Sequence, residues 1–142
     1  MKIDVILPPG ADAPTATRVA ELAEHYGLRG VWASNYPAQR DPFMALMPAA
    51  QATHRVRLGV MPYSPYEKHP VKLADSLLTL HDASKGRAML LVGGLGKSAM
   101  RAMGLEPARR VTAVRECVTI LRGCASGRPF SHAGDLYRAG HY

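Results

Sequence analysis

Ala88-Met89-Leu90-Leu91-Val92, closed by Gly93-Gly94-Leu95-Gly96, is the stretch on which the fold turns. An apolar run without polar alternation predicts a strand buried on both faces, as in a parallel sheet covered by helices. Upstream of it, His69-Pro70 opens a helix with Leu73, Ala74, Leu77, Leu78 and His81 on its inner face, and Ser84-Lys85-Gly86 closes it. Further back, Val56, Leu58 and Val60 predict a third strand, followed by a turn over Pro62-Tyr63-Ser64-Pro65-Tyr66-Glu67-Lys68. Asp41-Pro42 reads as an N-cap with proline at the first helical position, and its helix runs to about Thr53. Gly30-Val31-Trp32-Ala33-Ser34 is a second strand. Ala16, Val19, Ala20, Ala23 and Tyr26 fall at helical spacing before a stop at Gly27, and Lys2 to Leu7 is the first strand. The order is β-α-β-α-β-α-β, which implies a parallel sheet with right-handed crossovers. Downstream, a helix is expected from about Arg109 to Leu121, then a polar, extended tail over Pro129 to Tyr142.

The chain has 142 residues, 47% hydrophobic and 20% charged, which suits one soluble domain. No apolar run reaches the ~18 residues of a membrane span, and the N-terminus lacks a secretory h-region. A cytoplasmic location and no membrane partner are expected. Cys117 and Cys124 lie seven apart on one predicted helix. That places them roughly 10 Å apart along the axis, beyond the reach of a disulfide. His25, His54, His81, His132 and His141 show no metal-ligand spacing. The net charge of +7 is uneven: residues 97–142 carry eight Lys/Arg against three acids. This basic third has no aromatic interleaving and no nucleic-acid signature, so a solvated basic face is expected.

Two glycine motifs are decoys. Gly96-Lys97-Ser98 resembles the end of a P-loop, but Leu91 stands where that motif needs its first glycine. Gly94-Leu95-Gly96-Lys97-Ser98-Ala99 fits a relaxed dinucleotide fingerprint, but after the fourth strand instead of the first.

Taken together, other segments form a more specific pattern. Gly30-Val31-Trp32-Ala33-Ser34 with Arg40-Asp41-Pro42, Ser64-Pro65-Tyr66-Glu67-Lys68-His69-Pro70, Gly86-Arg87 through Gly96, and Met103-Gly104-Leu105 with Arg110, Arg115-Glu116 and Ile120-Leu121-Arg122 resemble the luciferase-like monooxygenase family. Lys97 and Met103-Gly104-Leu105 are most similar to its methylenetetrahydromethanopterin reductase branch. The resemblance implies a (β/α)8 TIM barrel that binds FMN or the deazaflavin coenzyme F-420 at the C-terminal strand ends. A complete barrel takes about 250 residues. The expected fold class is therefore α/β, the first half of such a barrel, with a C-terminal helix and extended tail. As one partial domain, it divides into four βα-type strands and three helices over 1–96, and a helix with an insertion-like tail over 97–142.

The same resemblance nominates site residues. Asn35 and Tyr36 stand where many members carry an acid and a histidine, so Asn35 is a cofactor contact and Tyr36 a substrate contact. Asn cannot serve as a general base. A cis peptide supports the ring in relatives, and alignment places it at Met61–Pro62, where proline lowers the cost of the cis form. Tyr63 and Ser64 would face the ring's polar edge, and Gly93-Gly94 would let it approach the backbone. His69 is the one catalytic candidate.

The implied activity is hydride transfer or oxygen activation on a small organic substrate, with F-420 favoured over FMN. Two alternatives stay open: a truncated, catalytically silent half barrel, to which the abrupt Gly140-His141-Tyr142 end points, or a binding-only flavoprotein. A half barrel would leave the edges of strands one and four open to homodimerisation or other association.

Overall fold

The computed structural model describes residues 2–140. The elements are β1(Asp4–Ile6), α1(Ala13–His25), β2(Gly30–Ser34), α2(Pro42–Ala52), β3(Arg57–Tyr63), α3(Pro70–Ala83), β4(Ala88–Val92), α4(Lys97–Ala102), α5(Arg110–Cys124), β5(His132–Ala133) and β6(Arg138–Ala139). β1 to β4 form a parallel sheet in the order β1-β2-β3-β4, with Val5 beside Val31, Val31 beside Leu58, and Leu58 beside Ala88. The ends at His141 and Tyr142, and the reading of His141 as no metal ligand, lie outside the described residues.

Helix starts follow from local chemistry. Asp12 accepts from Thr15 N at 2.9 Å at the start of α1. Asp41 accepts from Phe43 N and Met44 N at 2.9 and 3.0 Å, and Pro42 opens α2. In each case a side-chain oxygen satisfies an otherwise orphaned backbone donor.

One face of the sheet carries the core. Val31, Ala33, Leu58 and Val60 are buried against Ala16, Ala20, Phe43, Leu46 and Leu73 of the helices. The other face alternates with it and stays open: Ile6 is 58% exposed and Leu91 41%. Trp32 lies across Gly59 there, where a β-carbon would come within 2.4 Å of the ring. Its Nε1 donates to Asp4 Oδ2 at 3.1 Å. Arg29 also binds Asp4, and that hydrogen bond holds the carboxyl down at about 2.

Four expectations change. β4 is not buried on both faces, because among the described residues it is an edge strand whose inner face meets no second layer. The Met61–Pro62 bond is trans, as no peptide bond among the described residues is cis. β3 runs extended through it: Met61 pairs with Ser34, and Met61 O accepts from Asn35 N at 2.9 Å. The β3–β4 ladder shifts register between Val60 and Tyr63, so the proline nitrogen falls where no ladder donor is needed. The segment after β4 holds an additional helix, α4, and the tail folds into the antiparallel β5–β6 pair. Glu116 of α5 organises that pair by accepting from Asp135 N, Leu136 N and Tyr137 N at 2.9, 3.1 and 3.0 Å.

Candidate active site

The C-terminal ends of β2, β3 and β4 converge on one shelf. Asn35 follows β2 and is buried. Its Nδ2 donates to both Glu67 carboxylate oxygens at 3.0 Å. Ser64 N donates to Glu67 Oε2 at 2.8 Å, and Glu67 N returns a bond to Ser64 O at 3.1 Å. Glu67 thus ties the end of β2 to the turn after β3. A carboxylate only accepts, so it fixes which way the Asn35 amide faces. Asn35 Oδ1 makes no hydrogen bond among the described residues and keeps its acceptor capacity.

The other nominated residues divide by orientation. Ser64 is fully buried, with Oγ accepting from Tyr66 N at 3.3 Å, so its hydroxyl serves the turn. Tyr63 packs its ring 5.7 Å from that of Phe43, toward the helix layer. Burial pushes its hydroxyl up to about 12, and Glu67 and Asp41 add to the shift. Tyr63 O accepts from Gly93 N at 3.0 Å, which joins β3 to the glycine turn. Tyr36 is 53% exposed. Met61 and Pro62 are half-buried, and Gly93 backs onto Pro62 and Leu91. A β-carbon on Gly94 would meet nothing within 4 Å, so bare backbone forms the rim there.

His69 is the N-cap of α3, and its Nδ1 accepts from Val71 N at 3.3 Å. That bond places the ring proton on Nε2, so the exposed nitrogen is a donor, and the ring packs edge-on to Tyr137 at 5.8 Å. Tyr137 OH in turn donates to Pro65 O at 2.9 Å, so the β5–β6 connection is tied to the turn after β3. Among the described residues no group of three or more His, Cys, Asp or Glu is placed to hold a metal ion.

Glu67 and Tyr137 are not among the residues nominated from the sequence. For Glu67 a signal existed: Ser64-x-x-Glu67 has the spacing at which a serine and a glutamate exchange backbone bonds. Nothing local marks Tyr137, whose partner lies 72 positions away.

A family model described as luciferase-like monooxygenase matches residues 1–141. The chain belongs to the luciferase-like monooxygenase family. It is 30% identical over 121 residues to the 5,10-methylenetetrahydromethanopterin reductase of Methanolobus tindarius, across 85% of this chain and 37% of that protein. It is 31% identical over 106 residues to an uncharacterized protein of Mycobacterium tuberculosis, across 74% of this chain and 38% of that one. Among solved structures, the coenzyme F-420 dependent tetrahydromethanopterin reductase of Methanopyrus kandleri superposes with a TM-score of 0.91 at 23% identity, over 99% of this chain and 44% of the other. The oxygenating constituent of 3,6-diketocamphane monooxygenase of Pseudomonas putida, in complex with FMN, gives 0.82 at 24% identity, over 100% and 44%. These likenesses establish the fold: the four parallel strands and their helices match a portion of the family's TIM barrel. The chain spans about two fifths of the length of these relatives.

Proposed function

We propose that this chain supplies the N-terminal half of a flavin or deazaflavin site of an oxidoreductase, with F-420 favoured over FMN and a small organic molecule as substrate. One observation carries the reading: Asn35, held by Glu67 at the end of β2, keeps a carbonyl without a hydrogen-bond partner at the same edge of the sheet as the bare Gly94 backbone, the C-terminal strand ends where such barrels bind ligands. A flat heteroaromatic ring with an N–H edge fits that pairing of acceptor and open backbone. When bound, the ring would supply hydride transfer or, as FMN, oxygen activation. Asn35 Oδ1 would accept from the ring edge, Met61, Pro62, Gly93 and Gly94 would support its face, and Tyr36 would meet the substrate. Tyr63 and Ser64 hold the strand end and the turn in place. His69, with Nδ1 engaged at the helix start, is suited to donate a hydrogen bond rather than to remove a proton.

The site is walled on one side only, and that favours a second reading. The open inner face at Ile6 and Leu91 and the edges of β1 and β4, unpaired among the described residues, call for a further barrel half before catalysis. Without it, the chain binds without turnover or is silent. Among the described residues no helix is long and apolar enough to cross a membrane, and Cys117 and Cys124 are free thiols. Both suit the reducing cytoplasm we infer for this chain.

The test is a fluorescence titration of the whole chain with F-420 and with FMN, alongside light scattering on a sizing column. A discrete species that binds one of them in the micromolar range supports the site. Failure to bind either in a monodisperse sample removes the cofactor reading and leaves the silent one.

A further inference from the structure

We propose that the cleft between α4 and the start of α5 is a binding site for the anionic group, phosphate or carboxylate, of a small molecule. The cleft has a volume of about 250 Å³, and Lys97, Arg101, Glu106 and Arg110 are its charged lining residues. Three cations therefore face one acid. The side chains of Lys97, Arg101 and Arg110 make no ion pair or hydrogen bond among the described residues. The other acids of this region are already engaged: Glu116 is buried beneath the Asp135–Tyr137 backbone, and Asp135 binds Arg109.

This arrangement works against the fold's own interest. Lys97 and Arg101 stand one turn apart on α4, where like charges disfavour a helix. Arg110 opens α5 at the positive end of its dipole, and no acid lies in the first turn. An incoming anion would relieve both repulsions, and arginine's planar fork suits phosphate and carboxylate.

The cleft is also held in shape. Leu95, Ala99 and Met100 form a small core of their own with Tyr66, Met103 and Leu105. Tyr66 OH donates to Ala108 O and pins the segment to the turn after β3. Met100, Pro107 and Arg110 are shared with an apolar recess of about 80 Å³ that reaches Ser64, Tyr66 and Gly94 on the shelf. The expected ligand is thus an acid with a short apolar arm directed at the shelf. Its charged group has two possible sources, the substrate or the cofactor's own acidic tail. The cleft itself stands apart from the cofactor reading.

The test is calorimetric titration of the full chain with inorganic phosphate against chloride at matched ionic strength. Phosphate is expected to bind in the millimolar range, and the pair Arg101→Glu and Arg110→Glu to weaken it at least tenfold. Arg128→Glu, exposed and not among the cleft's lining residues, should leave it unchanged. The single neutral variant Arg110→Gln, with a folding check by circular dichroism, guards against a fold defect in the double variant. No preference for phosphate over chloride overturns the proposal, as does equal weakening by Arg128→Glu, since net charge alone would then explain the response. Phosphate that competes with FMN but not with riboflavin assigns the site to the cofactor's tail. Phosphate that binds equally with FMN present assigns it to the substrate. If FMN fails to bind while phosphate binding persists, only the cofactor reading falls.

Discussion

The two ends of the sheet handle their polar groups differently. At the N-terminal end, charged side chains close backbone gaps between elements. Glu24, late in α1, accepts from His54 N, Arg55 N and Val56 N at 3.1, 2.5 and 2.9 Å. Arg87, ahead of β4, donates to Ala50 O, Thr53 O and Val56 O at 2.8, 2.8 and 2.6 Å, and so terminates α2. At the C-terminal end, Glu67 makes a similar tether but leaves Asn35 Oδ1 and the Gly94 backbone facing outward. The lesson is that a like use of carboxylates closes backbone gaps at one end and, at the other, holds Asn35 Oδ1 without a partner, the acceptor we propose for the ligand. Barrels of this class separate the two tasks in the same way.

The strongest way to break the comparison is Arg87→Met. It removes a guanidinium from three carbonyls and from Thr53 Oγ1, and leaves those acceptors without their charged donor. Hydrogen bonds from charged groups and abandoned buried acceptors put the loss at about 3 kcal/mol. Urea denaturation checks it, with an unchanged slope showing that the same fold is unfolding. A loss below about 1 kcal/mol would mean that the N-terminal end is not the stability-bearing one.

Next in size is Glu24→Gln, which separates the two ends by pH. Burial pushes the Glu24 carboxyl up, but the three backbone N–H groups and Arg55 outweigh it and hold the carboxyl down at about 2. A folded-state pKa below the unfolded one makes Glu24 stabilising above the ordinary glutamate range near 4.3. That contribution is lost as pH falls from about 5 toward about 2. Glu116 is also held low, with burial opposed by three backbone N–H groups, so it steepens the acid side in the same sense. In Glu24→Gln the stability near neutral pH should fall by about 1–2 kcal/mol, and the slope below pH 5 should flatten but persist. An acid limb identical to that of the wild type would show that Glu24 carries no charge-dependent role.

A smaller stability effect with a larger binding effect is expected at the other end. Glu67→Gln keeps the shape, and its one carbonyl oxygen can still accept from Ser64 N, but an NH2 then stands where the second oxygen was, donor against the Asn35 Nδ2 donor, so the Asn35 amide is driven to turn its Oδ1 inward. The stability cost is about 1 kcal/mol. F-420 or FMN affinity should drop about tenfold, the equivalent of about 1.4 kcal/mol, because Asn35 is no longer fixed with its carbonyl outward. Stability and affinity falling in proportion would make Glu67 another structural tether and dissolve the contrast.

What was legible in the sequence follows the same division. The strands and helices through β4 are announced by local signals, the Asp41 cap, Pro42, Pro70 and Gly27, which act over a few residues. α4 is only six residues long and too short to show a periodic face. The β5–β6 pair depends on Glu116, nineteen positions before Asp135, and no pattern within two-residue strands reveals that. The run at Ala88–Val92 has the composition of a doubly covered strand, but composition does not say whether a second layer is present. At Met61–Pro62, proline makes the cis form cheaper without requiring it, and the register shift beside Tyr63 absorbs the irregularity with a trans bond. Candidate residues from the resemblance converge on one shelf, yet which atoms face outward depends on Glu67 and Phe43, each contributed by another turn or helix.

Gly94→Ala is the mildest change and the sharpest discriminator. Its β-carbon meets no atom within 4 Å, and Gly94 is absent from the positive-φ glycines, so alanine is accommodated without strain. Reduced freedom of the unfolded chain should leave stability unchanged or raise it by up to about 0.5 kcal/mol. The added methyl stands on the bare rim of the shelf, where a flat ring would lie against the backbone. Thermal unfolding should therefore show no loss, while titration with F-420 or FMN shows weaker binding. If binding is as tight in the alanine variant, the ring does not lie against Gly94, and the site narrows to Asn35 and the Met61–Pro62 backbone. If stability falls instead, Gly94 is a turn residue that the chain needs for itself, and the C-terminal end resembles the N-terminal end more than its open backbone suggests.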